Sequence, residues 1–71
     1  MAHVQTNLAA MRKARGIGAA ELANKVGITR QTIYAIEAGT YLPNTEVTLQ
    51  LARHLEVAVE ELFSLPDAVI V

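Results

Sequence analysis

The sequence predicts an all-α fold of five short helices, with a short antiparallel β-ribbon formed by its ends, and three observations predict it. Leu, Ile, Val and Ala recur at three- and four-residue intervals from Leu8 to Leu62, the spacing that lays apolar side chains along one face of a helix. Each interruption of that pattern coincides with a glycine or a small capping residue: Gly16, then Gly27 with Thr29, then Gly39 with Asn44. Only three of the 71 residues are aromatic, so the core must be built from aliphatic side chains. A chain this short forms one small domain, 1–71, whose stability gains from oligomerisation.

The first helix is expected over about residues 7–15, with Leu8, Met11 and Arg12 on one face, Thr6 or Asn7 at its start and Gly16 stopping it. The second covers about 19–26, with Leu22, Ala23 and Val26 inward, and Gly27 supplies the turn that follows. The third covers about 30–38, capped by Thr29 and ended by Gly39, with Ile33 and Ile36 inward. A loop over 39–44 leads to a fourth helix at about 45–55, whose inward residues are Val47, Thr48, Leu51, Ala52 and Leu55. The fifth, about 58–63, buries Val59, Leu62 and Phe63 before Pro66 forbids further helix. Ala68-Val69-Ile70-Val71 is an apolar, mostly β-branched run, which favours a strand. Strands are therefore placed at about 2–6 and 67–71, the tail pairing with His3-Val4-Gln5. A free edge carrying Val69 and Ile70 calls for cover, and a lone ribbon is marginal.

Composition excludes several classes of chemistry. No cysteine is present, so there is neither a disulfide framework nor a thiolate metal site. His3 and His54 are far apart with no third ligand at metal spacing. Ser64 is the sole serine, and Glu60 and Glu61 are neighbours that point to different sides of a helix. No enzyme activity, metal or cofactor is expected. No apolar run reaches the ~18 residues of a membrane span, and the N-terminus lacks a basic patch followed by an apolar stretch. The expectation is a cytoplasmic protein with no membrane partner and no small-molecule effector.

The net charge of −1 hides a division. Residues 1–36 carry five basic side chains against one acidic, a net of +4, whereas residues 37–71 carry one against six, a net of −5. A basic half and an acidic half suit a chain with one face toward nucleic acid.

The second and third helices, joined by a tight turn, form a helix-turn-helix, which sets its second helix in the DNA major groove with the first residues nearest the bases. Arg30, Gln31 and Ala35 lie on the outward face of that helix. Arginine can grip guanine, glutamine adenine, and alanine can touch a thymine methyl. Thr32 and Tyr34 border that face. Thr40, Tyr41, Asn44 and Thr45 offer hydroxyls and an amide around the start of the fourth helix, suited to phosphate. Lys13 and Lys25 add charge for the backbone. Tyr34 lies against either a phosphate or the second helix. Arg12 and Glu37 sit on otherwise inward faces of helices that pack together, so they are expected to pair, because a buried charge needs a partner.

The chain resembles the Cro/repressor-type (Xre) helix-turn-helix family from about Asn7 to Phe63. The matching residues are Arg12-Lys13, Arg15-Gly16, Glu21-Leu22-Ala23, Val26 through Ile33, Ile36-Glu37-Ala38-Gly39, Pro43-Asn44, Leu51-Ala52 and Val59 through Phe63. The resemblance implies a five-helix repressor-like DNA-binding domain, an Arg12–Glu37 bridge, groove contacts from Arg30 and Gln31, and dimeric binding to a palindromic double-stranded operator. The strand-like ends look most like the small cytolysin-operon-type repressors, which implies a homodimer seam on the fifth helix at Val59, Leu62 and Phe63, flanked by Val69 and Ile70. Members usually open the second helix with a hydroxyl cap and a glutamine that touches phosphate. Here those places hold Gly18 and Ala19, and alanine reaches no phosphate.

The expected function is thus a sequence-specific, double-stranded DNA-binding transcriptional regulator, a dimeric repressor. The alternatives are an antitoxin or controller protein, or a protein-interaction module whose helix-turn-helix meets a partner protein.

Overall fold

The computed structural model describes residues 4–66 and orders them as β1 (Gln5–Thr6), α1 (Leu8–Ala14), α2 (Ala19–Val26), α3 (Arg30–Ala38), α4 (Thr45–Leu55), α5 (Val59–Leu62) and β2 (Phe63–Ser64). The five helices surround one core of Leu8, Leu22, Ile33, Ile36, Leu51, Leu55 and Leu62, all fully buried, with Ala19, Ala23, Val26 and Ala52 filling between them. Full burial of each Leu or Ile stabilises by roughly 1.5–3 kcal/mol. Every helix thus donates at least one large side chain to the same centre.

Local chemistry sets the boundaries. Gly27 and Gly39 end α2 and α3 with φ of 77° and 79°, the left-handed region that glycine enters without a Cβ penalty. The Thr29 hydroxyl accepts from the Thr32 N–H at 3.2 Å to cap α3. The Asn44 side-chain oxygen accepts from the Val47 N–H at 2.8 Å to cap α4. Both satisfy helix-start donors that have no intrahelical acceptor. At the end of α4, Glu56 takes the left-handed conformation, φ 58°, where glycine is usual.

The terminal ribbon is present but differs from expectation in its second strand. Gln5 pairs with Ser64 and Thr6 with Phe63, antiparallel. Phe63, expected inside the fifth helix, is extended at φ −133° and ψ 137°, and α5 is only four residues long. Pro66 disfavours helical backbone at Leu65, the residue before it, and Phe63 and Ser64 pair with Thr6 and Gln5 instead of continuing α5. The expected tail strand 67–71, with Val69 and Ile70, lies outside the described residues. Asn7 extends the hold of the ribbon. Its N–H donates to the Leu62 carbonyl at 2.7 Å and its side-chain amide to the Glu61 carbonyl at 3.4 Å. α5 is therefore held from outside, by the segment that leads into α1.

Candidate nucleic-acid interface

The α2–α3 pair is the structural frame of the candidate site. Three residues, Gly27 to Thr29, join the helices, and the Ile28 N–H donates to the Ala23 carbonyl at 3.0 Å to close the turn. Ile33 and Ile36 anchor α3 in the core, which turns the opposite side outward. Arg30 and Gln31 are exposed in its first turn, Tyr34 is 51 % exposed one turn on, and Ala35 is half-buried beside it. These side chains stand on a helix whose orientation is fixed at both ends.

Arg12 supplies much of that fixity. Its Nε donates to Glu37 Oε2 at 2.6 Å and its Nη2 to Glu37 Oε1 at 3.2 Å, a bidentate pair whose side chains are each 11 % exposed. Its Nη1 donates to the Ile17 carbonyl at 3.0 Å. One guanidinium thus ties α1, the α1–α2 turn and the C-terminal part of α3 together, a geometry a lysine could not supply. The hydrogen bond to Glu37 holds the Arg12 pKa above its ordinary value; burial opposes this, while the Glu37 charge and, more weakly, nearby Tyr34 reinforce it.

The backbone-contact candidates fall at different places. Thr40, Tyr41 and Asn44 line the α3–α4 loop, all exposed. That loop lies one α3 length from Arg30, about 13 Å at the helical rise, a span comparable to the ~12 Å width of the major groove. Lys13 and Lys25 are exposed in the last turns of α1 and α2.

Their hydrogen bonds decide what each can still offer. The Thr40 hydroxyl already donates to the Ala35 carbonyl at 3.2 Å, so its proton is committed. Asn44 uses its oxygen in the cap and keeps its NH2 donors. Thr29 and Thr32 share one hydroxyl–hydroxyl bond of 2.9 Å, which leaves one proton of the two for an outside acceptor. Gly18, at the start of α2, makes no side-chain cap, and Ala19 is buried.

The assembly candidates divide more sharply. Val59 and Phe63 are half-buried at the surface, but Leu62 is fully enclosed by its own chain. A side chain that is already core has no area left for a partner, so Leu62 leaves the expected seam. Unforeseen from the sequence are Leu49 and Leu65, 58 % and 67 % exposed. Leu49 breaks the polar side of the α4 pattern, which is a visible but weak signal. Among the described residues no group of three or more His, Asp or Glu could hold a metal, and no helix is long and apolar enough to cross a membrane.

Comparison with known proteins gives a consistent set. The helix-turn-helix domain family matches residues 6–68. An uncharacterized HTH-type transcriptional regulator of Archaeoglobus fulgidus is 34 % identical over 64 residues, covering 90 % of this chain and 91 % of that one. Another, from Methanothermobacter thermautotrophicus, is 42 % identical over 57 residues, covering 79 % and 83 %. Among solved structures, the restriction-modification controller protein C.AhdI from Aeromonas hydrophila matches with a TM-score of 0.70 at 28 % identity, over 76 % of this chain and 78 % of that one.

Proposed function

Because the chain belongs to the helix-turn-helix transcriptional regulators of the Cro/repressor (Xre) type, we propose that it represses transcription as a homodimer seated on a palindromic operator. Arg30 and Gln31 read base edges, with Ala35 against a thymine methyl. Tyr34, Tyr41, the Asn44 amide, the Thr29–Thr32 hydroxyl pair, Lys13 and Lys25 hold the phosphates. Thr40 contributes by fixing the loop. The observation that carries this reading is the outward Arg30–Gln31 pair on a helix locked by the Thr29 cap and the Arg12–Glu37 bridge. Fixed presentation is what base readout requires, since direct contacts discriminate only when their geometry is preset. Two copies would place two such helices in successive major grooves, about 34 Å apart. A DNA partner puts its work in the cytoplasm, and regulation would follow protein concentration or a partner protein rather than a small effector.

The test is selection of binding sites from random duplex DNA by the full chain. An inverted repeat with half-sites about one helical turn apart is expected. Failure to enrich any sequence over the starting pool would end the reading. Reporter expression from the chain's own upstream region separates repression from activation. The controller reading is favoured by the likeness to C.AhdI, a protein named as a restriction-modification controller; it predicts that the enriched site lies beside a neighbouring gene under joint control.

A further inference from the structure

Arg15 is the one basic side chain of residues 1–36 to which neither the Arg12 brace nor the expected interface gives work. Its N–H donates to the Met11 and Arg12 carbonyls at 3.3 and 3.2 Å, which closes α1. Gly16 then turns the chain with φ of 64°, so Arg15 stands exposed at the corner between α1 and α2. That corner is held in place. The Arg12 guanidinium that grips Glu37 of α3 also donates to the Ile17 carbonyl at 3.0 Å. Arg15 has no ion-pair partner among the described residues, and neither has Glu21, the carboxylate in the first turn of α2. The start of α2 is otherwise bare: Gly18 has no side chain, Ala19 is buried, and Ala20 ends at a methyl group. A Cβ placed on Gly18 would meet no atom within 4 Å, so the space beside the helix start is open. In helix-turn-helix docking the second helix enters the groove while the first crosses the sugar-phosphate backbone.

We propose that Arg15 is a phosphate-binding residue of this interface. Its guanidinium reaches past Gly18 to a phosphodiester of the strand that α2 crosses, and so marks the edge of the half-site. The assignment rests on the DNA-binding reading above and extends it, because the contact comes from the turn before the helix-turn-helix rather than from the motif itself. A guanidinium suits the task, since its fork can meet two phosphate oxygens at once. The Arg12 clamp gives the contact its second effect. A phosphate held at the corner also fixes where α3 stands, because one side chain ties that corner to Glu37. Contacts to phosphate set orientation in this way without reading sequence.

Fluorescence anisotropy of the full chain tests the assignment on two labelled duplexes, the site it selects from random DNA and a scrambled sequence of equal length. Arg15→Ala should weaken binding to both by about tenfold and lower the salt slope by about one unit. Arg15→Lys should restore the slope but only part of the affinity, because an ammonium neutralises the phosphate without the forked bond. Arg53→Ala, the same loss of charge on α4, should leave both affinities within about twofold of the parent, since it removes no phosphate contact. Replacing phosphates one at a time with uncharged methylphosphonate should find a position, outside the bases that Arg30 and Gln31 meet, where the parent loses affinity and Arg15→Ala loses no more. Arg15 is exposed, so all three variants should melt like the parent. An Arg15→Ala chain with the parent's salt slope overturns the proposal, as does a loss matched by Arg53→Ala. So does a methylphosphonate scan in which every sensitive position weakens Arg15→Ala as much as the parent. If Arg15→Ala binds like the parent while the parent still selects a site, only this contact falls. A parent that binds neither duplex removes the DNA-binding reading and the contact with it.

Discussion

Arg12 is the residue on which the orientation of α3 depends. Removing its partner leaves a nearly buried guanidinium with one carbonyl for company, and uncompensated buried charge costs several kcal/mol. Glu37→Ala is expected to destabilise the fold by about 3–5 kcal/mol, a large share of the total for so small a domain. Denaturant unfolding of Arg12→Ala, Glu37→Ala and the double variant checks it; additive effects would mean that the bidentate bond carries no coupling energy. The Arg12 pKa lies above its unfolded value, so its contribution is complete at every pH below the unfolded value. It fades only as pH rises through the folded value, far into alkali, and no decline in stability near neutrality should trace to Arg12. On DNA, Arg30→Ala is expected to cost about 1–3 kcal/mol and to relax preference at one base pair per half-site. Lys13→Ala should weaken all sequences alike and lower the salt slope by about one unit for each phosphate the lysine had neutralised. Titrations of cognate and scrambled duplex at several salt concentrations distinguish the two. An Arg30→Ala chain that binds its cognate site as tightly as the parent would move base readout off α3. At this scale the sequence makes the Arg12–Glu37 pairing readable, since both charges fall on inward helical faces. It cannot show that Thr40 has already committed its proton or that Asn44 keeps its amide free, because those depend on how the loop folds back on the helix ends.

Helix boundaries follow from capping chemistry and are therefore largely legible. Gly27, Thr29, Gly39 and Asn44 punctuate α2, α3 and α4 within a residue or so of where the periodicity places them. The ribbon is legible only as pairing between the ends, without its register. β-propensity points to the Val-rich tail, yet Phe63 and Ser64 form the second described strand because tertiary pairing, not intrinsic preference, decides strands of two residues. α5 is similarly shorter than its apolar pattern, since four residues cannot sustain a helix without outside support. Its one returning cap is the Glu61 carboxylate, which accepts from the Ala58 N–H at 2.9 Å; Ala58 has no side-chain acceptor to offer in exchange. The weak joint of the α4 end is Glu56, the one residue other than glycine with positive φ among those described. Glu56→Gly is expected to stabilise the fold by about 0.5–1 kcal/mol by removing Cβ crowding. A rise in melting temperature checks it, and an unchanged or lower one would show that glycine's greater unfolded-state freedom outweighs the relief.

For the whole molecule, charge and packing assign different work to different regions. The basic side chains gather in α1 to α3 and the turns between them, the helix-turn-helix and its brace, while residues 37–71 hold six of the seven carboxylates. The division is readable from the sequence as a tally of charges. The place of the exposed apolar side chains is legible only in part: Leu49 and Arg53 are neighbours by helical spacing alone, whereas Leu65 comes beside Val4 and Glu60 only once the ribbon is paired.

The Asn7 hydrogen bonds also bear on the order in which the chain folds. They join residues 54 and 55 positions apart, and closing a loop of that length costs about 3–4 kcal/mol of chain entropy in the simple polymer estimate. Helices α1 to α4 meet through nearer neighbours, so this buckle should close last and open first. Opening it would free β1, α5 and β2 and expose Leu62, while Leu22, Ile33, Ile36 and Leu51 stay packed. Native-state hydrogen exchange should then show the Asn7 amide opening with a smaller free energy and smaller denaturant dependence than the amides of Ile36 and Leu51. Equal values would make the domain a single cooperative unit. With a separate buckle, the chain has a partly open form in which Arg30 and Gln31 keep their place on α3 while β1, α5 and β2 are loose, so a protease should cut the segments around α5 before it reaches the helix-turn-helix.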